Sequence, residues 1–330
     1  MVMSKEKFKP FLDQDPKFRS LIHALVAKKE ETAKKRAEML KLQGGPVITP
    51  EEQRNEVKVS KLTTKKRTAN GKIMINGYVL VSRLGQGSFG VVWLAMSLAH
   101  SKKYAMKVVS RTLLRKRRFG TSMKSEEEVL REVAVMKRLH HPNVVSLFEV
   151  IDDPAGDKFY MVQEYMELGP VMTEREYNTP LDSKVARGYA RDILCGMEYL
   201  HFQGVIHRDL KPSNVLIATD GVAKLADFGA AAITEGGTDY LTDVKGTPAF
   251  QPPEVFLIER GQKYSGFAVD IWAFGATLHT MVVGVPPYMA ENEIELVEKL
   301  NEKIESKLLA TQNENTNTLA SSCYIQRNPC

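Results

Sequence analysis

The stretch LGQGSFGVVWLAM, residues 84–96, constrains this chain more than any other. Gly85, Gly87, Gly90 and Val92 make the pattern G-x-G-x-x-G-x-V. In a dinucleotide-binding unit such glycines open a helix. Here β-branched and aromatic residues follow at once, which favours a strand. The glycines are therefore expected in a β-hairpin. Without Cβ atoms they let backbone amides approach an anionic group such as a chain of phosphates.

The rest of the chain fits around that hairpin. From Tyr78 onward, β-rich runs come first: YVLVSRL, VVWLAM and YAMKVVS. SEEEVLREVAVMKRLH then reads as a helix, and VVSLFEVI and FYMVQEYM as short strands. After these, helices dominate, beginning with DSKVARGYARDILCGMEYLHFQG. The expected fold class is α+β, with a small β-rich lobe carrying one key helix and a larger helical lobe.

Residues 1–77 form a separate, basic region. They hold 18 Lys/Arg against 9 Asp/Glu, whereas the remainder holds 28 against 31. A helix is expected over about residues 16–42, with Asp15 as N-cap and Pro16 at the first helical position. Phe18, Leu21, Ile22, Leu25 and Val26 share one face, and Gly44, Gly45 and Pro46 end the run. Two readings of that face stand: packing against the main body, or binding an acidic partner or membrane surface. Residues 46–75 read as a polar linker; TKKR within them is compatible with a nuclear address, a loose motif.

Several classes are excluded. Cys195, Cys323 and Cys330 are an odd set without zinc or disulfide spacing. They suit a reducing, cytoplasmic setting. The start of the chain lacks an apolar signal core. DIWAFGATLHTMVVGVPPY is interrupted by His279 and Pro286 and falls short of about 18 uninterrupted apolar residues.

Four further motifs carry chemistry, in order. Lys107 interrupts the apolar strand YAMKVV, 17 residues after Gly90. That suits a contact with the α/β-phosphates of ATP, provided a carboxylate aims the ammonium. Glu132 is the expected carboxylate; the run Glu126–Glu128 is read as solvated charge at the helix start, on the opposite face. IHRDLKPSN places Asp209, Lys211 and Asn214 on one loop. In that pattern Asp209 accepts the proton of a substrate hydroxyl, Lys211 stabilises the transferring phosphoryl group and Asn214 holds a metal. LADFG adds Asp227, thirteen residues after Asn214, as a second oxygen ligand for Mg2+.

Together, residues 78–307 resemble a eukaryotic protein kinase domain, with a bilobal fold and ATP and Mg2+ as implied cofactors. GTPAFQPPE resembles the end of an activation segment, and DIWAFG the start of the helix that anchors the large lobe. HRDLKPSN and GTP favour Ser/Thr over Tyr kinases. Within that class the chain is most similar to calcium/calmodulin-dependent protein kinase kinases and the upstream kinases of energy-sensing kinases. HPNVVSLFEVIDDP, YMVQEYMELGPVM and EYLHFQGVIHRDLKPSN carry the likeness. It implies a protein substrate that is itself a kinase, phosphorylated on its activation-loop threonine. It also implies Gln163 as gatekeeper, the Glu164 and Met166 hinge backbone as adenine contacts, and Leu84, Val92, Ala105 and Leu216 as further lining. The insertion of the mammalian members is reduced to LLRKRRFGTSMKS. No calmodulin-binding segment follows the domain, so calmodulin is not counted among the expected partners; nor is a specific nucleic acid.

Two departures stand out. Where many kinases carry a phosphorylatable residue four before the Thr of GTP, this chain has Asp243. Arg208 is its natural partner, and one reading gives Asp243 partial activity without phosphate; Thr242 as a phosphosite and Asp243 as a solvated charge are the others. Secondly, the large lobe is expected to lack its last helices, with residues 308–330 a polar, disordered tail. Glu254 would then lose its arginine partner, at roughly 3–5 kcal/mol for a buried pair. Apolar faces of DIWAFGATLHTMVVG would lose cover. A catalytically impaired nucleotide-binding scaffold is thus the alternative to an active enzyme.

Overall fold

In the computed structural model, residues 57–87, 90–116, 126–234, 237–256, 262–290, 292, 294–300 and 302 are described. The expected helix over 16–42 and the tail 308–330 lie outside them.

The small lobe is one eight-stranded sheet. Its strands are β1 Lys58–Ser60, β2 Lys65–Arg67, β3 Ile73–Ile75, β4 Tyr78–Gly87, β5 Gly90–Ser97, β6 Lys103–Ser110, β7 Leu147–Asp152 and β8 Lys158–Glu164. They lie in the order β1-β7-β8-β6-β5-β4-β3-β2. All pairs are antiparallel except β1 with β7. The two-residue period of β6 sorts its side chains. Tyr104, Met106 and Val108 join an outer cluster with Ile75, Ala95, Ile151 and Val162. Ala105, Lys107 and Val109 point to the other face, where Val109 enters the main core.

That sheet corrects the linker expected at 46–75. Residues 58–60, 65–67 and 73–75 are strands of the small lobe. The physical reason is Glu149, a carboxylate buried in β7. It accepts from Ser60 Oγ at 2.6 Å and Tyr78 Oη at 2.9 Å, and Lys58 Nζ lies 3.0 Å away. A buried carboxylate is tolerated only with such partners. The folded body therefore begins before Tyr78, with Val57 already packed on the main core.

Two helices complete the small lobe, α1 Arg111–Lys116 and α2 Glu126–Met136. In α2, Val129, Glu132, Val133 and Met136 follow the helical repeat and are buried. One of the four stripe positions thus carries a charge.

The large lobe is built on helices α3 Ser183–Phe202, α4 Pro253–Phe256 and α5 Gly266–Val283. Asp182 caps α3 by accepting from the amides of Lys184 and Val185. Ser265 caps α5, and Gly284 at φ 91° closes it. Short strands carry the loops between them: β9 Gly169–Pro170, β10 Val205–Ile206, β11 Val215–Ile217, β12 Ala223–Leu225, β13 Ala232–Ile233, β14 Tyr240–Leu241 and β15 Tyr264–Ser265. They pair as β12-β11-β9, β10-β13 and β14-β15. The main core joins α2 of the small lobe to α3 and α5 of the large one, through Leu139, Met172, Leu225 and Phe228.

Helix α5 is long and apolar enough to cross a membrane by composition alone. More than half of it is buried, including Asp270, so it is the core helix of the large lobe. Ile271 and Val283 of this helix, with Met289 and Ile294 beyond it, are exposed. Glu254 is exposed too, so the cost of burying it without a partner does not arise.

Candidate active site

The site lies between the sheet and the loops of the large lobe. Strand register aims the sheet side. Val92 pairs with Lys107, Lys107 with Met161, Leu94 with Ala105 and Ala105 with Gln163. Directly opposed residues share a face, so Val92, Ala105, Lys107 and Gln163 all look into the cleft. Gln163 Nε2 donates to Met136 Sδ at 3.3 Å, which ties it to α2.

The three motif glycines serve different ends. Gly87 pairs with Gly90 at the tip of the β4–β5 hairpin, and Gly85 pairs with Val92. A Cβ on Gly90 would lie 1.9 Å from the carbonyl oxygen of Val108, so β5 and β6 can approach only because it is glycine. A Cβ on Gly85 would meet nothing within 4 Å. Space above Gly85 is thus left for a ligand. Leu84 beside it is exposed.

At the hinge, the Glu164 amide donates to Ser146 O at 2.9 Å, so an adenine contact there can come only from its carbonyl. The Glu164 side chain pairs with Lys224 of β12 at 2.7 Å. Met166 is buried with Val145 and Ala226, and Leu216 packs against that cluster.

Lys107 Nζ lies 2.5 Å from Glu132 Oε1 and 3.7 Å from Asp227 Oδ1. Burial alone would push the ammonium down, but these two carboxylates hold it above the ordinary lysine range. It is therefore fully charged at neutral pH. The charged position in the α2 stripe is explained: Glu132 is buried because Lys107 meets it.

On the opposite side, Asp270 of α5 organises the catalytic loop. It is fully buried and accepts from the amides of His207 and Arg208, at 2.9 and 2.8 Å, and pairs with His201 Nε2 at 2.8 Å. Burial raises its pKa, yet these bonds hold the carboxyl below its ordinary value. Arg208 adopts φ 68°, a left-handed turn that needs such support. The turn delivers Asp209. Its Oδ1 accepts from Thr247 Oγ1 at 2.6 Å, and its Oδ2 accepts from Asn214 Nδ2 at 2.9 Å. Lys211 Nζ is 3.3 Å from the same Oδ2 and donates to Thr247 Oγ1 at 2.6 Å. Asp227, at φ 58°, is exposed toward the cleft.

The structure therefore brings Asp209, Lys211 and Asn214 together on one side, and Lys107, Glu132 and Asp227 on the other. Nothing in the sequence marks Thr247 as a direct partner of Asp209, although it lies in the GTP motif. Lys245, whose Nζ lies 2.8 Å from Glu128 Oε1, is likewise unmarked. The sequence predicts Glu128 as a solvated charge on the face opposite Glu132. It lies one turn from Glu132 and is partly buried, so that reading is corrected. Arg208 holds Asp243: Nη2 donates to Oδ1 at 2.9 Å and to the carbonyl at 2.6 Å.

The description "Protein kinase domain" matches residues 78–326. The match runs into residues 308–326, for which the composition predicts a polar tail. Over 244 residues the chain is 40% identical to a calcium/calmodulin-dependent protein kinase kinase of Caenorhabditis elegans, covering 69% of this chain and 45% of that protein. It is 42% identical over 231 residues to the serine/threonine-protein kinase GRIK2 of Arabidopsis thaliana, covering 70% and 56%. SNF1-activating kinase 1 of Saccharomyces cerevisiae is 36% identical over 264 residues, covering 69% and 23%. The chain thus spans about half the length of the first two relatives.

Proposed function

From the premise that this chain belongs to the protein kinase family, we propose that it is a Ser/Thr kinase acting on the activation-loop threonine of a second kinase. The attacking hydroxyl oxygen bonds to the γ-phosphorus of ATP, the bond to the β-bridging oxygen breaks, and ADP leaves. The hydroxyl proton passes to Asp209.

The single observation that carries this reading is the setting of Asp209. Thr247 and Asn214 fix its two oxygens, and Lys211 Nζ stands 3.3 Å from one of them, a positive charge beside the proposed base. Lys107, held by Glu132, supplies a fixed positive charge for the non-reacting phosphates. The donor chemistry fits Mg2+. Asn214 spends its amide nitrogen on Asp209, which leaves its oxygen to a hard cation, and Asp227 offers an exposed carboxylate. Bound there, Mg2+ would neutralise charge on the phosphates.

The kinase substrate is supported by the printed names of relatives, a kinase kinase and a SNF1-activating kinase. A cytoplasmic location is proposed from the cysteine pattern; Lys65–Arg67, the candidate nuclear address, forms an exposed edge strand. An acidic partner or membrane surface for the basic helix expected over about residues 16–42 remains part of the proposal.

The test is phosphate transfer by the full chain to a kinase activation-loop substrate with Mg-ATP. Asp209→Asn should lower turnover by about 100-fold or more, the usual scale of general-base catalysis, while ATP binding persists. Equal turnover in both proteins would end the proposal.

A further inference from the structure

The ion pair Lys245–Glu128 joins residues 117 positions apart, and no part of the chemistry above uses it. Its surroundings give it a role. Two residues after Lys245, Thr247 bonds Asp209 and Lys211. Two residues before it, Asp243 is held by Arg208, whose amide is held in turn by Asp270. Between them Gly246 sits at φ 110°, where a Cβ would lie 2.2 Å from Arg208 O. The segment 243–247 is therefore pinned to the catalytic loop at both ends and in the middle. Lys245 Nζ, 3.8 Å from Asp243 Oδ2, reaches from this fixed segment to α2.

The main core already holds the buried face of α2 against the large lobe, so the ion pair acts at the first turn of the helix. That turn is also anchored by Glu126 to Arg111 of the small lobe. Arg111 binds Asp152 and the carbonyls of Asp153 and Gly156, all of the small lobe. Arg111 thus moves with the sheet and fixes nothing between the lobes. Lys245 belongs to the other lobe. Glu128 lies one turn from Glu132, so a pull on Glu128 sets where Glu132 meets Lys107.

We propose that Lys245–Glu128 is a brace between the lobes that positions α2, so that the activation segment aligns Glu132 and Lys107 without phosphate. Both are positioning residues; neither touches the reacting atoms. The proposal deepens the kinase reading and rests on it for its effect on turnover.

The test uses the full chain with Lys245→Met, Glu128→Gln, the double variant and Lys245→Arg. Hydrogen exchange at residues 129–136 and phosphate transfer are both read. Each single variant should speed exchange and lower kcat about fivefold, the scale of one partly exposed ion pair. The double variant should match the singles, because one interaction can be lost only once. Lys245→Arg should stay near wild type. Unchanged exchange in the singles, or effects that multiply in the double, would overturn the brace. A wild type that transfers no phosphate would overturn the kinase reading instead, and exchange would still decide the brace.

Discussion

The two walls of the cleft are held by different forces. On the sheet wall, Val92, Ala105, Lys107 and Gln163 are aimed by strand register. Backbone ladders do the aiming, and each is shared among many bonds. On the loop wall, Asp209 is aimed by a left-handed turn at Arg208 that hangs on one buried carboxylate, Asp270. A register tolerates the loss of a side chain. A turn held by one buried acceptor does not, because the orphaned amides pay their full desolvation cost.

The largest expected effect breaks the loop wall. Asp270→Ala leaves the amides of His207 and Arg208 and the His201 ring without their acceptor. Loss of a buried, fully bonded charge costs about 3–5 kcal/mol. A thermal midpoint within 2 °C of wild type would show that the turn is held otherwise.

Next is a point where the sheet wall is intolerant as well. Gly90→Ala places a methyl group against Val108 O and should cost about 1–3 kcal/mol, as overpacking does. Gly85→Ala, with open space around it, should leave stability within about 0.5 kcal/mol. Equal effects at the two sites in denaturant unfolding would contradict this division of roles.

Asp243→Ala should act on activity more than stability. Its side chain is about half exposed, so the pair with Arg208 contributes within about 1 kcal/mol. Unphosphorylated enzyme should nonetheless lose several-fold in turnover, because the segment carrying Lys245 and Thr247 loses an anchor. Unchanged turnover would reduce Asp243 to a surface charge.

The smallest effect is a pH dependence where α3 meets the segment after α2. His141 stacks on Tyr199 and accepts from the Asn143 amide through Nδ1. Burial pushes its pKa down, with Glu198 opposing and Lys224 assisting. A depressed histidine pKa means that the unfolded chain binds the proton more readily. Stability should therefore be full above about pH 6.5 and decline as pH falls toward the lower folded value. His141→Gln should flatten that decline between pH 7 and 5.5; an identical slope would place its origin elsewhere.

Much of the site was legible without coordinates. Local strings carried Lys107, Asp209, Lys211, Asn214 and Asp227, because each motif is short and its spacing reflects one turn or one strand. Seven of the eight elements of six or more residues from Tyr78 to Phe202 were legible as β-rich or helical runs; the short helix α1 was not. The strands at 58–75 were not. They are three residues each; β1 and β2 are polar edge strands, and β3, though apolar, is too short to show a period. β1 pairs with a strand about 90 residues away, and no window of sequence contains both. The one hint was Glu149, a carboxylate inside the apolar run LFEVI.

By itself, the sequence determined which groups could take part: the proposed base, the two lysines, the proposed metal ligands and the glycine hairpin. Those follow from residue type and from spacings that lie within single elements. Tertiary structure alone decided which charges were structural. Glu126, Glu127 and Glu128 are chemically the same residue on one helical turn. Only packing makes Glu126 a tie to Arg111 and Glu128 a tie to Lys245. The energy of a charge depends on what lies within a few ångströms and on how far water is excluded, and neither is written in the order of the residues.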